Sequence, residues 1–156
     1  MINPEINTFL EVWNSAWSAL PKGAPITDRR LLFEYIADRM RLPHPASVQV
    51  ATRFVHSEGR NVLCRIDRHN SGGVQPCLIY MHGGAWMQGS PMTHADITSR
   101  IAEANGQTVI SVDYALAPEH PFPAGMEDCI AAHEWLRENG PDGPGAARQT
   151  FIAGDS

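Results

Sequence analysis

Three short apolar runs, at residues 77–81, 108–112 and 151–153, are separated by segments of helical periodicity, and no other feature constrains the fold as much. Cys77-Leu78-Ile79-Tyr80-Met81 and Thr108-Val109-Ile110-Ser111-Val112 do not alternate polar with apolar, as befits strands covered on both faces. Gln149-Thr150-Phe151-Ile152-Ala153 reads as a third buried strand. Between the first two, Ser90-Pro91 and Thr93-x-x-Asp96 offer helix-start signals, Ile97, Ile101 and Ala104 form a stripe, and Asn105-Gly106 stops it. Between the second and third, Met126, Cys129, Ile130, His133 and Leu136 mark another helix, closed by Asn139-Gly140-Pro141. Strand, helix, strand, helix, strand with short connections predicts right-handed crossovers and a parallel sheet, hence an α/β fold.

Two kinds of element precede this core. Asn3-Pro4 opens a helix that repeats Ile6, Phe9, Leu10, Trp13, Trp17 and Leu20 at helical spacing. A second helix starts at Thr27, carries Leu31, Leu32, Tyr35, Ile36 and Met40, and ends before Pro43 and Pro45. These helices, residues 1–46, form an appended layer, and residues 47–156 hold the sheet. The sheet opens with an antiparallel hairpin. Val48, Val50, Thr52 and Phe54 share one face of its first strand, Glu58-Gly59 supplies the turn, and Val62, Cys64 and Ile66 share one face of the second.

With 43% hydrophobic and 19% charged residues among 156, a packed core is expected rather than disorder. The net charge of −5 argues against nucleic acid or an anionic membrane as partner. No apolar run approaches the roughly 20 residues of a spanning helix, and the start of the chain lacks the basic and apolar regions of a secretory signal. Cys64, Cys77 and Cys129 are odd in number and widely spaced, so reduced buried thiols and a cytoplasmic location are expected. His44, His56, His69, His94 and His133 show no metal-ligand spacing and read as surface or half-buried residues, so neither metal nor cofactor is expected.

In an open parallel sheet the chemistry collects at the carboxyl ends of the strands. Three segments fall there: His82-Gly83-Gly84-Ala85, Asp113-Tyr114 and Gly154-Asp155-Ser156. A strand followed by Gly-x-Ser is the first half of the Gly-x-Ser-x-Gly turn that presents a serine hydroxyl at the strand end. Alone, Gly-x-Ser also fits an ordinary turn. Gly83-Gly84 after a buried strand lets the backbone approach a ligand and turn its N–H groups outward, as an oxyanion site requires. A plain Gly-Gly turn is the other reading. A phosphate loop is disfavoured, since neither G-x-G-x-x-G nor Gly-Lys-Ser/Thr occurs here.

Together, His82-Gly83-Gly84-Ala85-Trp86, the run from Asp113-Tyr114-Ala115-Leu116-Ala117-Pro118-Glu119 through His120-Pro121-Phe122-Pro123-Ala124, and Gly154-Asp155-Ser156 resemble the hormone-sensitive-lipase-like esterases of the α/β-hydrolase fold. That family carries HGGG, YRLAPE with HPFPA, and GDSAGG in this order. The resemblance spans the chain from about Val48 onward. It implies Ser156 as nucleophile, the N–H groups of Gly83 and Gly84 as oxyanion donors, His82 as a loop-positioning residue and Asp155 as a structural acceptor. Trp86, after the oxyanion loop, is a candidate pocket-lining residue, with core or cap packing as the other reading. The first two helices correspond to the family's N-terminal cap, and residues 47–156 to the first half of its catalytic domain. Ala85 stands where the family has a third Gly, which asks that it keep a negative φ. Ala115 stands where YRLAPE has Arg, so any ion pair of that Arg is missing.

The resemblance also implies further chain beyond Ser156 supplying a third oxyanion donor, a catalytic acid and a catalytic His, in that order. Rebuilding a triad from His82, His120, Asp113 and Asp155 is disfavoured. The expected function of the parent is hydrolysis of small, fairly apolar carboxylic esters through an acyl-enzyme, with the 156 residues inactive alone. A small-molecule receptor that has lost a triad residue, or an amidase, is the alternative. The expected partner is the ester itself, with any homodimer formed through segments outside this chain.

Overall fold

The computed structural model describes residues 3–141, 143 and 147–156. The Asn3 side chain accepts the Glu5 N–H at 2.8 Å and caps α1 (Pro4–Ser18), with Pro4 in the first turn, where its missing N–H costs nothing. α2 (Ile26–Met40) follows, starting at Ile26, one residue before the expected Thr27. Then come β1 (Val48–Ser57), β2 (Arg60–His69), β3 (Gln75–Met81), α3 (Ala95–Asn105), β4 (Thr108–Val112), α4 (Ala124–Asn139) and β5 (Ala147–Gly154). The sheet order is β1-β2-β4-β3-β5. β3 pairs in parallel with both β4 and β5, and the β1–β2 hairpin joins antiparallel along β4. Glu58 and Gly59 both take positive φ, as a two-residue hairpin turn matching strand twist requires.

Two apolar layers sandwich the sheet. On the α4 side lie Val55, Val62, Cys64, Ile66, Ile79 and Leu136, and on the α3 side Val48, Leu78, Tyr80, Ala102 and Val109. β1 serves both layers, because this twisted edge strand buries Val48 at one end and Val55 at the other. The expected common face of Val50, Thr52 and Phe54 is therefore exposed.

Helix faces also differ from the expected stripes. α3 buries Ala95, Thr98, Ser99 and Ala102, and leaves Ile97 exposed. The cause is a buried polar group on β2. Arg65 donates from Nε and Nη2 to Asp67 at 3.1 and 2.8 Å, and the Thr98 hydroxyl donates to Asp67 Oδ2 at 2.8 Å. The helix turns its polar stripe inward to satisfy that carboxylate. Thr93 and Asp96 do not form a capping box, and the helix cap has no side-chain hydrogen bond. Instead the Ser90 hydroxyl accepts the N–H groups of Met92 and Thr93 in the preceding turn. α4 buries Asp128, Cys129, Ala132 and Leu136, while Met126 and Ile130 stay exposed. β5 is not buried: among the described residues it pairs only with β3, and Phe151 and Ile152 are exposed. In α1 no residue is buried; Trp13 and Trp17 are half covered and meet Phe33 of α2. In α2 only Ile36 is buried, and Leu31 and Tyr35 are exposed.

Candidate active site

The parallel register brings three strand ends level, since Met81 pairs with Val112 on one side and Gly154 on the other. Gly154 makes the second pairing possible, because a Cβ there would lie 2.6 Å from the Met81 carbonyl oxygen. Met81 through Trp86, Tyr114 and Gly154 through Ser156 then surround a cavity of about 240 Å³. Of the expected site residues, His82, Gly83, Gly84, Asp155, Ser156 and Trp86 all meet there.

Asp155 organises the cavity. Its Oδ1 accepts the Gly83 N–H at 2.8 Å and the Tyr80 hydroxyl at 2.8 Å, and its Oδ2 lies 3.1 Å from His94 Nε2. Partial burial works to raise its pKa, but the Tyr80 bond, the His94 ring and the Gly83 bond outweigh it and hold the carboxyl below its ordinary value. Gly83 packs so tightly here that a Cβ would sit 2.3 Å from Asp155 Oδ2.

This geometry corrects one expected donor. The Gly83 N–H is taken by Asp155, so it cannot serve an oxyanion. Among the described residues the N–H groups of Gly84 and Ala85 meet no acceptor, and both residues line the cavity with Ser156. Ala85 does not keep a negative φ either: Ala85 and Trp86 sit at +54° and +59°. These left-handed conformations fold residues 84–88 back so that the Gly84 carbonyl accepts the N–H groups of Met87 and Gln88. Gly84 itself, at φ +128°, has no room for a Cβ, which would lie 2.1 Å from the Gln88 carbonyl oxygen.

His82 is buried, stacks on Tyr114 at 4.2 Å and donates from Nδ1 to the Gly83 carbonyl at 3.0 Å. The Tyr114 hydroxyl donates to the His82 carbonyl. Burial pulls the His82 imidazole from 6.5 down to about 4, so it is neutral at pH 7 and holds the loop rather than exchanging protons. Among the described residues no hydrogen bond joins Ser156 to an imidazole. His120 is exposed and lines a separate cavity with Trp86 and Phe122.

Two residues escape the sequence reading. His94, expected at the surface or half-buried, is 5% exposed and sits between Asp155 and Thr93, with Phe33 edge-on to its ring. No spacing signal marks it, because its partner lies 61 positions away. Arg30 of α2 meets Glu119 through two bonds of 2.9 and 2.7 Å. The amphipathic pattern of α2 gives no hint that this charge turns inward.

A model of the alpha/beta hydrolase fold family matches residues 78–156. The chain belongs to that family. Among its curated relatives, the carboxylesterase NlhH of Mycobacterium tuberculosis is 43% identical over 81 residues, which is 52% of this chain and 25% of that protein. The carboxylic ester hydrolase LipN of the same organism is 40% identical over 110 residues, covering 70% of this chain and 29% of that protein. Among solved structures, an ester-hydrolase from the metagenome of Lake Arreo, in complex with a bipyridine phosphonate derivative, superposes with a TM-score of 0.85 at 33% identity. The match covers all of this chain and 51% of that one. The chain thus spans about a quarter of those curated relatives and half of that solved hydrolase. The α/β-hydrolase fold and the hormone-sensitive-lipase-like resemblance expected from the three motifs are both borne out.

Proposed function

We propose that the protein carrying this chain is a carboxylic ester hydrolase that uses Ser156 as nucleophile and passes through an acyl-enzyme. The observation that carries this reading is the Asp155–Gly83 hydrogen bond, which locks the loop after β3 against the turn that bears Ser156. It leaves the Gly84 and Ala85 N–H groups free on the wall of the cavity that Ser156 shares. Two such backbone donors suit the oxyanion of a tetrahedral intermediate, and one donor of this kind is worth about 3–4 kcal/mol of barrier lowering.

In this mechanism the Ser156 oxygen attacks the ester carbonyl and the N–H groups of Gly84 and Ala85 take the developing charge. The alcohol departs, and water then releases the acid from the acyl-serine. His82 and Asp155 keep the donors aimed. As the family resemblance implies, the proton acceptor is a histidine from beyond Ser156; His82 and His94 are engaged elsewhere. Residues 1–46 act as a cap layer, and the substrates are small, fairly apolar esters. Among the described residues no helix is long and apolar enough to cross a membrane, and the three cysteines are free and buried. A reducing, cytoplasmic setting agrees with those thiols.

The test is a fluorophosphonate probe and a short-chain aryl ester applied to the full-length protein. We expect one covalent adduct, at Ser156, and ester turnover, with both abolished in Ser156→Ala. A full-length protein that neither labels nor turns over would be a binder, and the reading would fall.

A further inference from the structure

Arg30 projects from α2 and is three-quarters covered. Its Nε donates to the Met87 carbonyl at 2.7 Å, Nη2 to the Ala117 carbonyl at 2.8 Å, and Nη1 and Nη2 grip the Glu119 carboxylate. One planar cation thereby joins three segments: α2, the turn after β3 and the loop after β4. The two loops also touch directly, through the Ala117 N–H on the Trp86 carbonyl at 2.9 Å. Glu119 is held below its ordinary pKa, chiefly by its hydrogen bonds to Arg30, so the pair stays ionised.

The position matters because of what lies next along the backbone. The Met87 residue whose carbonyl Arg30 holds gives its own N–H to the Gly84 carbonyl at 3.1 Å. That carbonyl and the Ala85 N–H belong to a single planar peptide. Fixing the oxygen end fixes the direction of the N–H end. The same turn holds Ala85 and Trp86 at positive φ, a conformation that persists only when the surroundings over-determine it. Further polar contacts from α2 run along the same stretch: Glu34 accepts the Ser90 hydroxyl, and Arg41 donates to the Met92 carbonyl at 3.0 Å.

We propose that Arg30 is a positioning residue for ester hydrolysis: it aims the Gly84–Ala85 peptide at the oxyanion and makes that aim depend on the seating of α2. The inference rests on the reading of Gly84 and Ala85 as donors. It gives α2 a role in the chemical step, beyond covering a pocket. Lysine can replace Arg30 only in part, since one ammonium lacks the planar fork that meets a carboxylate and two carbonyls at once.

The experiment compares wild type, Arg30→Met, Arg30→Lys and Arg39→Met in the full-length protein, at a temperature where all are folded by circular dichroism. Arg39 is the control for charge on the same helix, since among the described residues it reaches only Tyr35. Two readouts are taken: kcat and KM on a short-chain aryl ester, and amide hydrogen exchange over residues 84–88. We expect Arg30→Met to lower kcat by about 10–100-fold with KM within about threefold, as for a misaimed transition-state donor. We also expect faster exchange at residues 84–88, a smaller kcat loss in Arg30→Lys, and wild-type values in Arg39→Met. An unchanged kcat, a loss confined to KM, or unchanged exchange in Arg30→Met would each overturn the clamp. A wild type without Ser156-dependent turnover is a separate result, which fells the function itself before any variant is compared.

Discussion

The Asp155 carboxylate and the Gly83 N–H lie 2.8 Å apart, and this hydrogen bond fastens the segment after β5 to the segment after β3. Both Gly83 and Tyr80 donate to the same oxygen, Oδ1, while His94 faces Oδ2. Asp155→Ala leaves two buried donors without an acceptor, at about 1–3 kcal/mol each. Asp155→Asn keeps Oδ1 and offers an amide to His94. We expect the Ala variant to lose about 10–100-fold in kcat/KM through loop displacement and the Asn variant to lose less. Steady-state kinetics with parallel thermal melts checks the ranking, and equal losses would contradict it.

The two titrating groups beside the loop predict separate acid transitions. Burial pulls His82 from 6.5 to about 4, against the Gly83 bond and the Asp155 charge and with His94 acting in the same direction as burial. Between these values the unfolded chain binds a proton that the folded chain refuses, so stability falls as pH drops from 6.5 to 4. The loss approaches about 2–3 kcal/mol. Asp155, with its pKa lowered, contributes above the ordinary carboxylate value and loses that contribution only as pH falls through its own lower value. Urea unfolding at several pH values in His82→Asn should be flatter between 4 and 6.5 than in wild type.

Gly84 and Gly72 both have positive φ but differ in what surrounds them. A Cβ on Gly84 meets the Gln88 carbonyl, while one on Gly72 meets nothing within 4 Å. Gly72→Ala should cost only the backbone strain, about 1–2 kcal/mol. Gly84→Ala must also move the turn, and should remove at least 100-fold of activity by displacing the donor peptide. Comparing melts and kcat for the pair separates strain from displacement.

Asp128 of α4 holds the loop after β4 from below. It is 1% exposed, accepts from Arg60 at 2.8 Å, and accepts the Ala115 N–H at 2.8 Å. Asp128→Ala should lower the urea midpoint, with the orphaned Ala115 N–H alone costing about 1–3 kcal/mol. Asp128→Asn can still accept one of these donors and should recover part of the loss.

Element order, the hairpin turn and the collection of His82, Gly83, Gly84, Asp155 and Ser156 at one sheet edge were all legible, because strand periodicity and topology dictate them. Which face each helix buries was not. In α3 the buried stripe follows Thr98, whose hydroxyl answers Asp67 across 31 positions, and hydrophobic periodicity carries no information about such a partner. That the Gly83 N–H is already taken was illegible for a similar reason. Asp155, not Gly83, decides which N–H is free, and the two are 72 positions apart. His94 and Arg30 are invisible at the sequence level because only tertiary packing gives them partners.

The buried Arg65–Asp67 pair also guards alignment. Strand residues alternate faces, so sliding β2 by one position against β4 would rotate this pair toward Cys129 and Leu136 and point Cys64 and Ile66 at Thr98. The Thr98 hydroxyl that donates to Asp67 lies on the α3 face, and taking the ion pair away from that partner leaves a buried carboxylate short of a donor. The ion pair thereby adds a charge penalty to the one that turn and apolar alternation already impose on a slipped frame, in the sheet that leads to Ser156.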